Sequence, residues 1–222
     1  STDSMASAPW ISVSGVVVRY ASQVQIRDVS IAQTAGSGLV IDADSQFVLV
    51  ERVQVEESGF DGVAVTASAQ VQLTRVVARS NDGAGVSMDW GVSDSSIRDS
   101  ALTDNGYGWA GGGNPGLYMA WTSAVTVAAT DIARNDGNGV MLTNQGMADT
   151  PSTTCSTDNV FHRNRFADNG QFGVWLTHSA CTGNYSKGNV YEGNGWGPVF
   201  EPVCGQFAET AASCTGAGCP NL

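Results

Sequence analysis

Asp42 and Asp89 are the two carboxylates that could work on one bond, though they project two coils apart, roughly 10 Å at the strand spacing and slightly wide for it. Hydrolysis of a glycosidic bond asks for two such groups, one to protonate the leaving oxygen and one to act from the other face. His178, Tyr118 and Lys187 suit a second chemistry, removal of a proton beside a sugar carboxylate. That reaction also asks for a cation to steady the developing charge. Tyr118, Trp175, Trp121, Trp90 and Met141 supply broad apolar surface of the kind that lies against sugar rings. These residues are scattered over more than a hundred positions, so they form a site only if the fold brings them to one face.

A repeat provides that fold. A glycine-containing turn followed by an aliphatic anchor recurs at Val16, Leu39, Val63, Val86, Leu117, Val140, Val174 and Val199. Subtracting successive positions gives steps of 23, 24, 23, 31, 23, 34 and 25. A period of this size means stacked coils, each burying its apolar face against its neighbours. Five residues before the anchors stand Thr34, Ser58, Asn81, Asn135, Asn169 and Asn194, with Asn105 in the same role where the loop is longer. Asn and Gly tolerate the left-handed backbone of a tight turn. Stacked in register, the Asn amides would bond along the column and satisfy turn backbone groups.

Between turns, short runs alternate apolar and polar residues: Val24-Gln25-Ile26, Val29-Ser30-Ile31, Val71-Gln72-Leu73 and Val125-Thr126-Val127. Period two with branched residues is the strand signature. Three short strands per coil predict an all-β parallel β-helix of about eight coils of roughly 23 residues, with two loop insertions.

The units from Asn159 to Gly170 and from Gly188 to Gly195 resemble the repeats of the right-handed parallel β-helix, pectate-lyase-like superfamily. The resemblance runs over roughly residues 10 to 200 and concerns the scaffold. It implies polysaccharide lyases, hydrolases or epimerases as the enzyme classes, with binding and structural proteins beside them. No catalytic motif of the superfamily's lyases or epimerases stands in the chain.

Bulk composition narrows the partners. The chain has 222 residues, a net charge of −11 and ten Lys plus Arg, of which Lys187 is the single lysine. Nucleic-acid binding needs clustered basic surface, so it is excluded as an expectation. The same field repels polyanionic sugars unless a cation such as Ca²⁺ bridges them; no other cofactor is expected. No apolar run is long enough to span a membrane.

Cys155, Cys181, Cys204, Cys214 and Cys219 all lie in the last third. Aligning Asn159, Asn164 and Asn169 with Asn184, Asn189 and Asn194 gives a shift of 25, which carries Cys155 to within one residue of Cys181. A Cys155–Cys181 disulfide is therefore expected, and with it an oxidising compartment: secreted, periplasmic or cell surface. There is no Cys-x-x-Cys, and no metal site is expected. Residues 1–200 read as the β-helix and 201–222 as a cysteine-containing, disulfide-bonded cap or tail. No capping helix precedes Trp10, so further coils or another chain are expected at the N-terminal edge.

Two insertions, Tyr107 to Pro115 and about Asn144 to Asp158, precede and follow anchor strands on consecutive coils. They would wall a groove whose floor is the column Val40, Ala64, Ser87, Tyr118, Met141 and Trp175, one residue past each anchor. The expected function is carbohydrate binding or polysaccharide processing in that groove. The alternative is a non-catalytic structural or interaction segment of a longer secreted or cell-surface protein. Aspartates beside the turn Asn, such as Asp82, Asp104, Asp136 and Asp168, read as turn residues. Asn184-Tyr185-Ser186 fits a glycosylation sequon.

Overall fold

Alternating branched and polar residues become three parallel strands per coil, joined by corners too tight for a helix. The computed structural model describes residues 13–108, 113–143, 156–177, 182–201, 207 and 214–215. One sheet, the anchor sheet, contains Val16–Arg19, Leu39–Asp42, Val63–Thr66, Val86–Asp89, Leu117–Ala120, Val140–Thr143, Phe172–Leu176, Gly197–Phe200 and Cys214–Thr215. The second sheet has seven strands, beginning with Gln25–Arg27 and ending with Tyr185–Lys187. The third also has seven, from Ser30–Ala32 to Val190–Glu192. Seven coils thus carry all three strands, and an eighth opens with Gly197–Phe200.

The eight anchors predicted from the sequence form one unbroken column, Val16 to Leu39 to Val63 and on to Val199. Two residues further along each strand a second inward column runs Val18, Ile41, Val65, Met88, Met119, Leu142 and Leu176. Val50, Leu73, Ile97, Val127 and Phe161 face them from the second sheet, and Val55, Ala78, Leu102, Ile132 and Phe166 from the third. All of these except Val16 and Val18 are fully buried. At the C-terminal end Phe207 lies buried, edge-on to Phe161 at 5.2 Å.

Backbone bonding within a coil is impossible for isolated strands, so every ladder bond runs between coils. At the turn before the anchor sheet the Asn side chains continue that pattern. Asn81 Nδ2 donates to Asn105 Oδ1 at 2.9 Å, Asn105 to Asn135 at 3.0 Å, Asn135 to Asn169 at 2.9 Å and Asn169 to Asn194 at 2.9 Å. The same Oδ1 atoms accept the backbone N–H of the preceding coil. A second such contact joins Asn159 Nδ2 to Asn184 Oδ1 at 2.9 Å. Asn184 is therefore a buried structural amide, also donating to Ser156 O, and the sequon it begins is not open to a glycan in the folded chain.

The corners rest on left-handed residues that are not glycine. The residue just past the anchor-sheet strand is left-handed in five coils: Tyr20 (φ 49°), Ala43 (54°), Ala67 (45°), Trp90 (57°) and Trp121 (53°). Such a conformation costs roughly 1 kcal/mol for a non-glycine residue. Here the ladder on either side of the corner fixes it.

Candidate functional site

Register turns the anchor sheet into a grid of columns. The outward column is Val40, Ala64, Ser87, Tyr118, Met141, Trp175 and Phe200. Two residues on, Arg19 stands beside Asp42, and Asp89 beside Thr66. Small side chains at Ala64 and Ser87, followed by bulky Tyr118, leave a hollow with a wall. Ser37, Phe60, Asp61, Ala64, Thr66, Ser87 and Asp89 line it, around a cavity of about 210 Å³.

Two carboxylates meet in this hollow. Ser87 Oγ donates to Asp61 Oδ2 at 2.7 Å, and the Ala84 N–H donates to Asp61 Oδ1 at 2.8 Å. Burial pushes the Asp61 carboxyl above its usual range despite both donors. Asp89 stands two residues beyond Ser87 on the same strand face, an advance of about 6.6 Å. Burial, and to a lesser degree the nearby Asp61 charge, pushes Asp89 up to about 6, while the Trp90 N–H bonds to it and draws it down. Tyr118 closes the adjoining position. Burial and then the Asp89 and Asp61 charges push its hydroxyl up to about 12, so it holds its proton at any physiological pH.

A second hollow of about 190 Å³ opens on the neighbouring corner, lined by Asp44, Gln46, Ala67, Ser68, Ala69, Trp90 and Gly91. Its origin is the left-handed corner column, where Ala43 and Ala67 are small and Trp90 is large. The Trp90 ring is 59% exposed, yet it is held edge-on against Trp121 at 4.8 Å and 78°. Sequence continuity joins the two hollows. Thr66 and Asp89 line the first, and Ala67 and Trp90, the next residue of each, line the second.

The residues expected from the sequence distribute as follows. Asp89 lies in the first hollow and Trp90 in the second. Tyr118, Met141 and Trp175 share the outward column, half-buried, on successive coils. Trp175 makes an edge contact with Phe200, part of a ring cluster with Phe172 and Trp196 at the far end. Trp121 buttresses Trp90, and its buried Nε1 has no hydrogen-bond partner among the described residues. Asp42 is not the partner of Asp89. Thr66 stands on the strand between theirs, and Asp42 is taken up by Arg19 at 3.3 Å and by the Ala43 N–H at 2.6 Å. Asp61, not Asp42, shares the first hollow with Asp89. Lys187 lies on the second sheet, away from either hollow. His178, Cys155 and Cys181 lie outside the described residues, as do 109–112 and 144–155 of the two insertions. The described ends of the insertions leave from opposite sides of the anchor sheet, one before Leu117 and one after Thr143. The first is tied down where Tyr107 Oη donates to Arg134 O at 3.0 Å and the Gly113 N–H to Asp136 Oδ2 at 2.8 Å.

No group of three or more His, Cys, Asp or Glu side chains among the described residues has the arrangement to hold a metal ion. No described helix is long and apolar enough to cross a membrane.

Comparison with known proteins adds the following. The family model described as the right handed beta helix region matches residues 14–218. No curated protein matches the sequence. Among solved structures, the periplasmic alginate epimerase AlgG superposes with a TM-score of 0.66 at 11% identity, over 79% of this chain and 42% of AlgG. The A-module of the Azotobacter vinelandii mannuronan C-5 epimerase AlgE4 gives 0.54 at 12% identity, over 89% and 65% of the two chains. Tailspike protein 2 of Escherichia coli O157:H7 bacteriophage CAB120 gives 0.59 at 14% identity, over 76% and 21%. The chain thus spans less than half the length of AlgG. At these identities the likeness is one of fold.

Proposed function

Because the chain belongs to the right handed beta helix family, a scaffold on which unlike chemistries are built, we infer its function from the two hollows of the anchor sheet. The reading is a polysaccharide-processing β-helix that hydrolyses a glycosidic bond at Asp61 and Asp89. One observation carries it: two carboxylates, Asp61 bonded to Ser87 and Asp89 two residues further along the Ser87 strand, face a single cavity and both hold protons more tightly than carboxylates in water. Asp89, the more open of the two, is the proton donor to the leaving oxygen. Its ionisation near pH 6 keeps part of the population armed at neutrality. Asp61, held by Ser87 and Ala84, balances the positive charge that grows on the sugar until water adds to the anomeric carbon and gives its proton to the Asp89 carboxylate. Trp90 is the platform for the neighbouring sugar, with Tyr118, Met141 and Trp175 continuing the floor.

Three solved β-helices of similar fold support the substrate class. Two are named as epimerases of alginate or mannuronan, and one is a phage tailspike. AlgG, a periplasmic enzyme, fits the compartment expected from the cysteines, outside the cytoplasm. Release of reducing ends from soluble polysaccharides, by the chain and by Asp89→Asn, tests the proposal. Activity that survives Asp89→Asn unchanged sinks it.

A second reading has its own support. Both Asp61 oxygens are occupied from within the protein, as in a structural turn. A binding module would show glycan affinity that outlasts Asp89→Asn, with no product from any polymer.

A further inference from the structure

Every lysine and arginine of this chain can be placed, because residues 1–12, 109–112, 144–155, 178–181 and 202–222 contain neither. Nine of the ten stand on the second and third sheets or on the corner residue directly after them: Arg27, Arg52, Arg75, Arg79, Arg98, Arg134, Arg163, Arg165 and Lys187. Most are committed there. Arg52 holds Asp28 at 2.6 Å, Arg79 holds Glu56 at 2.6 Å, Arg134 holds Asp104 at 2.8 Å, and Arg165 bridges Asp131 at 3.0 Å and Glu192 at 3.2 Å. Arg27 and Arg75 both reach Glu51.

The tenth, Arg19, ends the first strand of the anchor sheet and is bonded to Asp42. Three strand spacings, about 14 Å, separate its strand from that of Asp89. The two hollows therefore contain Asp61, Asp89 and Asp44 and no cationic side chain among the described residues. What faces a ligand instead is hydroxyl and amide: Ser37, Thr66, Ser87, Gln46 and Ser68.

Resting on the polysaccharide reading above, we propose that the anchor-sheet site takes an uncharged glycan and excludes chains bearing a carboxylate or sulfate on each sugar. Like charges brought together in a recessed site cost several kcal/mol unless a counter-charge intervenes. Proton abstraction beside a sugar carboxylate needs that counter-charge within reach of the carboxylate, and the chain's lysines and arginines are elsewhere. Hydroxyls and amides are the groups that pair with sugar hydroxyls without penalty. The fold is thus shared with two alginate or mannuronan epimerases, while the charge lining the site points away from a uronate.

Affinity electrophoresis of the full chain at neutral pH tests this. The gels contain soluble neutral polymers (a mixed-linkage β-glucan, a galactomannan, a xylan) or acidic ones (alginate, polygalacturonate), the latter with and without added calcium. Retardation by at least one neutral polymer and by neither acidic one is the expected result. The double variant Asp61→Asn/Asp89→Asn, its folding verified by thermal unfolding, is expected to gain at least tenfold in alginate affinity, equivalent to 1.4 kcal/mol. Retardation by alginate or polygalacturonate, with calcium or without it, overturns the charge argument and leaves the polysaccharide reading standing. A folded double variant with no gain toward alginate also overturns it. Retardation by no polymer of either kind overturns both.

Discussion

The Ser87 hydroxyl bonds to Asp61 Oδ2 across 26 positions of sequence, 2.7 Å apart in space. Only the stacking of coils makes them neighbours. The bond fixes the deeper carboxylate against the strand that carries the shallower one, Asp89.

Asp89→Asn is expected to abolish hydrolysis and to change how stability depends on pH. The folded carboxyl titrates near 6, above its unfolded value near 3.9. The native state therefore binds this proton more tightly. Its contribution to stability is full below about pH 4 and lost as pH rises through about 6. The variant removes that loss. Its melting temperature relative to wild type should be higher at pH 7 than at pH 4. The gap, on the order of 1 kcal/mol after solvent screening, corresponds to about 2–4 °C. Carboxylates held low by arginines, Asp28, Glu56 and Asp104, are common to both proteins and cancel in the difference. Calorimetry at the two pH values decides it; a gap of the opposite sign refutes the assignment.

Asp61→Asn separates catalysis from folding. The position two residues before the anchor holds Asn138 in another coil, where its Oδ1 accepts the Phe172 N–H at 3.0 Å. Ala84 N–H makes the same bond to Asp61. An amide at 61 is thus already proven by the chain's own repeat. The variant should fold with equal or greater stability at neutral pH and lose activity at least a hundredfold. Retention of activity would return Asp61 to a turn role.

Trp90→Ala should weaken glycan retention at least tenfold while leaving the melting temperature within a few degrees. Alanine already occupies this left-handed corner at Ala43 and Ala67, and the lost edge contact with Trp121 is worth about 0.5–1.5 kcal/mol. Unchanged retention would show that the exposed ring is idle.

Asn135→Ala should cost about 3 kcal/mol or more. Its side chain donates to Asn169 Oδ1 and Leu102 O and accepts from Asn105, all in the interior. Removing it strands several buried partners at about 1–3 kcal/mol each. Thr34, the first member of the same column among the described residues and half-exposed, should cost under about 1 kcal/mol on truncation. Chemical denaturation of the two variants measures the contrast.

The scaffold was legible because its signals are periodic. The eight anchors and the Asn column fell into the register that their spacing predicts, and so did the shift of 25 between the last coils. One carboxylate of the proposed pair, Asp89, was legible in the sequence, since it ends a strand that starts at an anchor. Asp61 was not. It sits beside Gly62 in a turn, where an acidic residue is read as turn chemistry, and sequence does not say whether a corner side chain turns toward the sheet or toward solvent. A signal existed: in the column Ser14, Ser37, Asp61, Ala84, Pro115, Asn138, Phe172 and Gly197, position 61 alone is acidic. Spacing along the stack also does not reveal that Thr66 stands between Asp42 and Asp89 or that Arg19 bonds to Asp42.

The register has a consequence for remodelling. Residues 63 to 85 form one repeat of 23, entered from Gly62 and left through Gly85. Duplicating them in tandem joins Gly85 to a new Val63, a junction the chain already contains as Gly62–Val63, so every hydrogen-bonded column stays closed. Asp61 and Ser87 would then be one strand further apart, about 4.8 Å. The width of the cleft is quantised: it changes by whole coils, and the carboxylate pair exists only at the present count.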